Sequence, residues 1–309
     1  MLDWTDRHFR YFLRLISQRV ILYTEMVSCG AVLHGDRIRV LGFDPKENPL
    51  ILQLGGSDPK LLGKSVEIAE EFGFQGINLN VGCPSDRVQQ GRFGACLMKE
   101  PNQVADCIAS MRSHTRLPVT VKCRIGVDEH DSYDHLRHFV TTVAAAGCDT
   151  FVVHARKAWL QGLSPKENRT VPPLCYDRVE QLKRDHPWLN IILNGGILNL
   201  DQAQQQLTWA DGVMLGRAVY QNPYMLAEAD ARFYGDDRPV ATREQLLEAF
   251  LPYVERRLGE GWRLHSMTRH LLGLYHGQPR ARQWRRHLST HACREGAGMR
   301  VLKSWLDGP

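Results

Sequence analysis

The chain has 309 residues, 43% of them hydrophobic and 24% charged, enough to bury one large core or one large and one small core. No stretch approaches the roughly 18 unbroken apolar residues of a membrane span, and the first seven residues lack the charged-then-apolar order of a signal peptide, so a cytoplasmic protein without membrane association is expected. The net charge of +5 is unevenly placed: residues 241–309 hold twelve basic and six acidic groups, whereas residues 1–240 hold 27 and 28, which points to a polyanionic partner for the C-terminal part.

In chain order, residues 6–17 have helical periodicity, and seven short apolar runs follow at 22–26, 50–54, 76–81, 119–122, 150–154, 191–194 and 212–215. Between them, residues 59–72, 101–114, 133–146 and 200–207 repeat apolar side chains at helical spacing. Strand alternating with helix predicts a parallel sheet. In a (β/α)8 barrel the helix over 6–17 would follow a first strand that this sequence does not contain. A clipped start is expected in preference to a seven-stranded variant, because an open barrel exposes two strand edges. From residue 239 no further strand is apparent, and Thr242-Arg243-Glu244-Gln245 reads as a capping box ahead of a helix. The expected organisation is a catalytic barrel over 1–238 and a small helical bundle domain over 239–309.

Barrel chemistry gathers at the carboxyl ends of the strands. There the sequence places Gln53, then Asn80 and Cys83, Lys122, His154, Asn194-Gly195-Gly196 and Gly216-Arg217. The two glycine motifs suit a phosphate held by backbone N–H groups, with Arg217 adding a charge-assisted contact. A lysine at an interior strand end is costly to desolvate unless it meets an anion, such as the N1–C2=O2 edge of a reduced flavin. Gln53 and His154 can bond other ring edges. No G-x-G-x-x-G opens a βαβ unit, so FMN fits better than a dinucleotide. Each feature alone has a plainer reading: a turn for Gly-Gly, a structural histidine for His154, a lysine reaching to solvent for Lys122. Their co-location in barrel order favours the flavin. The eight cysteines include no Cys-x-x-Cys pair, so neither a disulfide framework nor a metal centre is expected.

The motifs "MLDWTDRH", "LQLGGSDP", "INLNVGCPSDRVQ", "FGACLM", "VTVKCRIG", "FVVHARKAWLQGLSPKENR", "NGGI", "DGVMLGRAVYQNP" and "GQPRARQWRRHLS" together resemble the tRNA-dihydrouridine synthase family, within it the A-type bacterial enzymes. The resemblance runs nearly end to end. It implies an FMN-binding (β/α)8 TIM barrel followed by a helical tRNA-binding domain, which uses NADPH to reduce uridines of the tRNA D-loop at positions 20 and 20a. It implies FMN contacts at Met1, Leu2, Gln53, Lys122, His154, Asn194, Gly195, Gly196, Gly216 and Arg217. It implies Cys83 as the catalytic acid and tRNA contacts at Asn80, Lys166, Arg169, Arg282 and Arg285. Family barrels begin with a strand that runs through Ala-Pro into the Met-Leu found here as residues 1 and 2, a departure that bears on the contact from Met1.

Reduction of the uracil 5,6 double bond needs a hydride at one carbon and a proton at the other. An unperturbed thiol, with a pKa of about 8.5, stays mostly protonated at neutral pH and can deliver that proton. Gly82 and Pro84 would fix the turn that presents Cys83. Cys96 is the weaker candidate, and Cys107 and Cys148 read as packing thiols. Two rival functions are an FMN barrel oxidoreductase acting on a small pyrimidine-like molecule and a tRNA-binding protein without catalysis. No obligate protein partner is evident in the sequence.

Overall fold

Seven strands, β1 (Leu22–Ser28), β2 (Leu50–Gly55), β3 (Gly76–Val81), β4 (Val119–Arg124), β5 (Thr150–His154), β6 (Asn190–Asn194) and β7 (Gly212–Met214), form one sheet in chain order in the computed structural model, which describes residues 1–308. From β2 to β7 every neighbouring pair is parallel. Helices Pro59–Glu70, Pro101–Ser113, Tyr133–Ala145, Tyr176–Asp185 and Leu200–Gln206 make the crossovers. The result is a barrel-like β/α arrangement. Each of the seven predicted runs is a strand, with ends within two residues of those expected. The runs are legible because helices cover the sheet and strands such as β3, buried at all six positions, carry apolar residues at Ile77, Leu79 and Val81.

Packing divides the chain into two compact units, one of Tyr23–Pro45 and Leu50–Leu215, the other of Met1–Leu22, Lys46–Pro49 and the chain from Gly216 onward. This division does not follow the boundary expected at 238/239. The reason lies in the helix Arg7–Ile16, whose Tyr11 and Phe12 are buried in one core with Leu246, Leu247, Phe250, Tyr253 and Val254. Phe12 meets Phe250 edge-on at 5.2 Å and Tyr11 stacks on Tyr253 at 4.0 Å, contacts of the kind that add to simple area burial. An amphipathic helix does not announce in its own sequence which core it joins.

Within this second unit, the helix Arg243–Gly259 opens with the expected capping box. The Gln245 backbone N–H donates to Thr242 Oγ1 at 3.2 Å and the Thr242 N–H to Gln245 Oε1 at 2.8 Å. The helices Leu264–Thr268, Ala281–His291 and Arg300–Leu306 follow. Trp284 and Trp305 pack at 5.0 Å, and each indole N–H is satisfied, by the Leu271 carbonyl at 2.7 Å and the Tyr275 hydroxyl at 3.1 Å. No helix among the described residues is long and apolar enough to cross a membrane.

His8 gives this unit a pH dependence. Its ring is buried, Nδ1 lies 2.7 Å from the Tyr253 hydroxyl, and burial pushes its pKa down to about 4. The unfolded chain takes up this proton below about pH 6.5 while the folded chain does not, so stability is complete above that pH and falls as pH drops toward 4. The loss attributable to His8 is up to about 3 kcal/mol. Urea unfolding at pH 7 and pH 4.5 is expected to show a markedly smaller loss for His8→Gln than for the parent chain; equal losses would remove His8 from the account.

Candidate active site

The strand ends of the barrel-like unit carry a directed chain of amides. Asn80 Nδ2 donates to Gln53 Oε1 at 2.9 Å, Gln53 Nε2 to Asn78 Oδ1 at 2.9 Å, and Asn78 Nδ2 to Thr120 Oγ1 at 2.9 Å, which donates to the Ile77 carbonyl at 3.3 Å. Each bond fixes which end of the next amide is oxygen, so Gln53 and Asn80 are held in one orientation. The strand register pairs Gln53 with Asn78 and Asn80 with Lys122. It also pairs Arg124 with His154, and His154 with Asn194.

Asn80 also builds the turn that carries Cys83. Its Oδ1 accepts the backbone N–H groups of both Gly82 and Cys83 at 3.0 Å. The Cys83 carbonyl accepts the Ala95 N–H at 2.9 Å, and Gln89 Nε2 donates to the Pro84 carbonyl at 2.9 Å. Gly94, at φ +80°, lies so close that an added Cβ would come within 2.5 Å of the Cys83 carbonyl oxygen. The thiol thus stands on a pinned turn, half-buried, 3.5 Å from the Ser85 hydroxyl. Three thiols of this unit, Cys107, Cys123 and Cys148, are buried in its core, and burial pushes each up to about 12. Cys96 sits in the short helix Gly94–Lys99, donates to the Phe93 carbonyl at 3.2 Å and is shifted upward, first by burial.

Lys122 donates to Asn194 Oδ1 at 2.9 Å, and Asn194 Nδ2 donates to the Met214 carbonyl at 2.7 Å. The Asn194 side chain therefore serves to aim Lys122. Burial, followed by the neighbouring Arg124 charge, brings the Lys122 ammonium down to about 8. The same burial, then Arg124 and Lys122, keeps His154 well below its ordinary value and so neutral at physiological pH. A cation depressed in this way, with a neutral amide as its hydrogen-bond partner, is suited to receive an anion. Gly195 and Gly196, at φ +106° and +74°, occupy the left-handed region that glycine tolerates. A Cβ at Gly195 would fall 2.4 Å from His154 Cδ2, and one at Gly196 2.4 Å from Leu174 Cδ1. The Tyr176 hydroxyl holds the Gly195 carbonyl at 2.5 Å. The donor set fits a flavin ring edge, while Gly195 and Gly196 let His154, Leu174 and Tyr176 pack close against the backbone.

The structure therefore brings Gln53, Asn80, Lys122, His154 and Asn194 to the strand ends, each in β2 to β6, with Cys83, Gly195 and Gly196 immediately after their strands. Lys166 is exposed and Arg169 half-buried, on either side of buried Asn168. Met1, Leu2, Gly216 and Arg217 belong to the other unit. There the Met1 amine donates to Thr5 Oγ1 at 2.7 Å, and Gly216 immediately precedes the helix Arg217–Gln221. Arg282, Arg285 and Arg286 are exposed on the outer face of the helix Ala281–His291, opposite its buried Trp284 and Leu288.

Sequence reasoning missed Asn78, Arg124 and Asn168. Period-two spacing could have found the first two, since Asn78 precedes Asn80 and Arg124 follows Lys122 by two residues on one strand face. Asn168 lies in an irregular loop, where its bonds to the Trp159 N–H and to the Trp159 and Leu163 carbonyls have no sequence signature.

A parallel barrel-like sheet with a thiol, a lysine, a histidine and amides at its strand ends defines an α/β enzyme of the barrel class. The chain belongs to the dihydrouridine synthase family, whose model matches residues 1–305, and is thus an oxidoreductase. It is 59% identical over 303 residues to a tRNA-dihydrouridine(20/20a) synthase of Shewanella oneidensis, covering 98% of this chain and 90% of that one. It is 55% identical to the enzyme of that name from Vibrio cholerae, covering 99% and 94%, and 56% identical to that of Synechocystis, covering 99% and 92%. Among solved structures, a 2-naphthoyl-CoA reductase in complex with 2-naphthoyl-CoA is similar with a TM-score of 0.56 at 10% identity. That match spans 74% of this chain and 47% of the other, and speaks for the fold.

Proposed function

We propose that this protein reduces uridine to 5,6-dihydrouridine in the tRNA D-loop, at positions 20 and 20a, with bound FMN and with NADPH as the reductant, and that Cys83 supplies the proton. The observation that carries the reading is the pinned Cys83 turn beside the Lys122–Asn194 pair, joined to a family match over nearly the whole chain. Bound FMN would supply the hydride that reaches C6 of the uracil. Cys83 gives its S–H proton to C5, becomes a thiolate and is reprotonated from solvent. Lys122, Gln53 and His154 would hold the flavin ring, Lys122 supplying the charge that an anionic reduced ring calls for, and Gly195 and Gly196 would lie toward its phosphate. The further FMN contacts at Met1, Leu2, Gly216 and Arg217 are part of the same proposal.

The target base must leave its stack to reach a strand-end site, at a cost of a few kcal/mol. Phosphate contacts offset that cost. Lys166, Arg169 and the basic helical segment 239–309, through Arg282 and Arg285, are the proposed contacts, in a cytoplasmic enzyme. Asn80 acts toward tRNA mainly by shaping the Cys83 turn, since its Oδ1 takes two backbone bonds and its Nδ2 one side-chain bond.

Two measurements test this. Purified protein should be yellow, with FMN released on denaturation, and should oxidise NADPH when given unmodified tRNA but reduce free uridine poorly; good reduction of free uridine with no response to tRNA would favour a small-molecule enzyme. Replacing Arg282 and Arg285 by Ala should flatten the slope of log affinity against log salt by somewhat under two units, each phosphate contact contributing about 0.7 to 0.9. A double variant with the parent affinity and slope would rule out this face as a phosphate clamp.

A further inference from the structure

Arg124 is buried, 3% exposed, at the end of β4. Its guanidinium donates to three backbone carbonyls. Nε donates to the Gly82 carbonyl at 3.0 Å, while Nη1 donates to the carbonyls of Asn168 at 2.7 Å and Lys157 at 3.1 Å. Burial, then the Arg169 charge, shifts it downward. A guanidinium desolvated in this way is costly unless its fork geometry is needed.

The Gly82 carbonyl belongs to the peptide whose N–H is that of Cys83. That one peptide plane is held from both sides, its N–H by Asn80 Oδ1 and its oxygen by Arg124. The other arm of the guanidinium holds Asn168, the middle residue of the short helix Glu167–Arg169, which follows Lys166 directly. Asn168 is itself fully buried and ties that segment to Trp159 and Leu163. One rigid side chain thus joins the turn of the thiol to the segment that presents Lys166 and Arg169.

We propose that Arg124 is a positioning residue that couples the Cys83 thiol to the Lys166–Arg169 segment, so that tRNA engaged on that segment and the proton donor are held in one register. This rests on the reading of Cys83 as the acid. Lysine is a poor replacement, because it lacks the two separate donor atoms, Nε and Nη1, with which Arg124 reaches the Gly82 carbonyl on one side and those of Asn168 and Lys157 on the other.

The test uses the flavin-loaded, prereduced enzyme and unmodified tRNA. Single-turnover rates are measured against tRNA concentration in H₂O and D₂O for the parent and for Arg124→Lys, Arg124→Gln, Lys166→Ala, Arg124→Lys/Lys166→Ala and Cys83→Ala. The saturating rate should fall roughly 10- to 100-fold in Arg124→Lys, the cost of a misplaced reacting group. The solvent isotope effect should rise above the parent value, because proton delivery becomes limiting. Lys166→Ala should raise the half-saturating tRNA concentration in the parent and raise it less in the Arg124→Lys background. A merely architectural arginine would lower the folded, flavin-loaded fraction and leave rate per loaded site and isotope effect unchanged, which would overturn the proposal; Arg124→Gln supplies the same readouts if Arg124→Lys does not fold. If Cys83→Ala is slow while Arg124→Lys keeps the parent rate and isotope effect, the coupling is wrong and the acid stands. If Cys83→Ala reacts at the parent rate, the acid assignment falls and the coupling with it.

Discussion

Cys83→Ala is expected to retain FMN and its reduction by NADPH while single-turnover reduction of tRNA falls by about 10²- to 10⁴-fold, the usual contribution of a positioned general acid. The substitution deletes a proton donor whose turn is held by Asn80, Ala95 and Arg124 through the backbone, so the turn itself should persist. Cys96→Ala, which removes a thiol bonded to the Phe93 carbonyl, should be far milder. Rapid-mixing oxidation of prereduced enzyme by tRNA separates the two. Equal rates for both variants would assign the proton to another group.

Lys122→Met should release flavin or slow its reduction by NADPH strongly, since the variant keeps most of the side chain's length and loses its charge. The parent protein should show a linked pH effect. Lys122 without an anionic neighbour titrates near 8, lowered first by burial and then by Arg124. Affinity for an anion should therefore hold below that pH and weaken as pH rises through it, because the ammonium must then be recharged on binding. In Lys122→Met this alkaline decline should vanish. Retention of the reduced flavin and its rate of reduction by NADPH, measured anaerobically across pH 6.5 to 9.5, give both results; unchanged retention together with an unchanged reductive rate would remove Lys122 from the flavin site.

The strands and the polar residues at their ends are legible for a physical reason. A covered parallel sheet makes each strand a short apolar run, and polar groups at the ends of such runs stand out: Gln53, Asn80, Lys122, His154 and Asn194 were all found in this way. What could not be read was partnership. Nothing in the sequence shows that Asn194 spends its side chain on Lys122 and Met214, or that Asn80 turns toward Gly82 and Cys83. Those bonds depend on register between strands far apart in sequence. Nor does the sequence show that Arg124, at the end of β4, has three backbone carbonyls as its partners. The helix Arg7–Ile16 is legible as a helix, while its membership in a core with Phe250 and Tyr253 is a tertiary fact that the long intervening chain conceals.

The central claim is that this chain makes dihydrouridine at particular D-loop positions of tRNA. Its most direct test is position-resolved mapping of dihydrouridine in an unmodified tRNA incubated with the purified flavin-loaded protein and NADPH, with Cys83→Ala alongside. The account predicts dihydrouridine at positions 20 and 20a, dependent on NADPH and nearly absent with Cys83→Ala. Uridine left intact at both positions by the flavin-loaded parent protein, or equal conversion by Cys83→Ala, would contradict it.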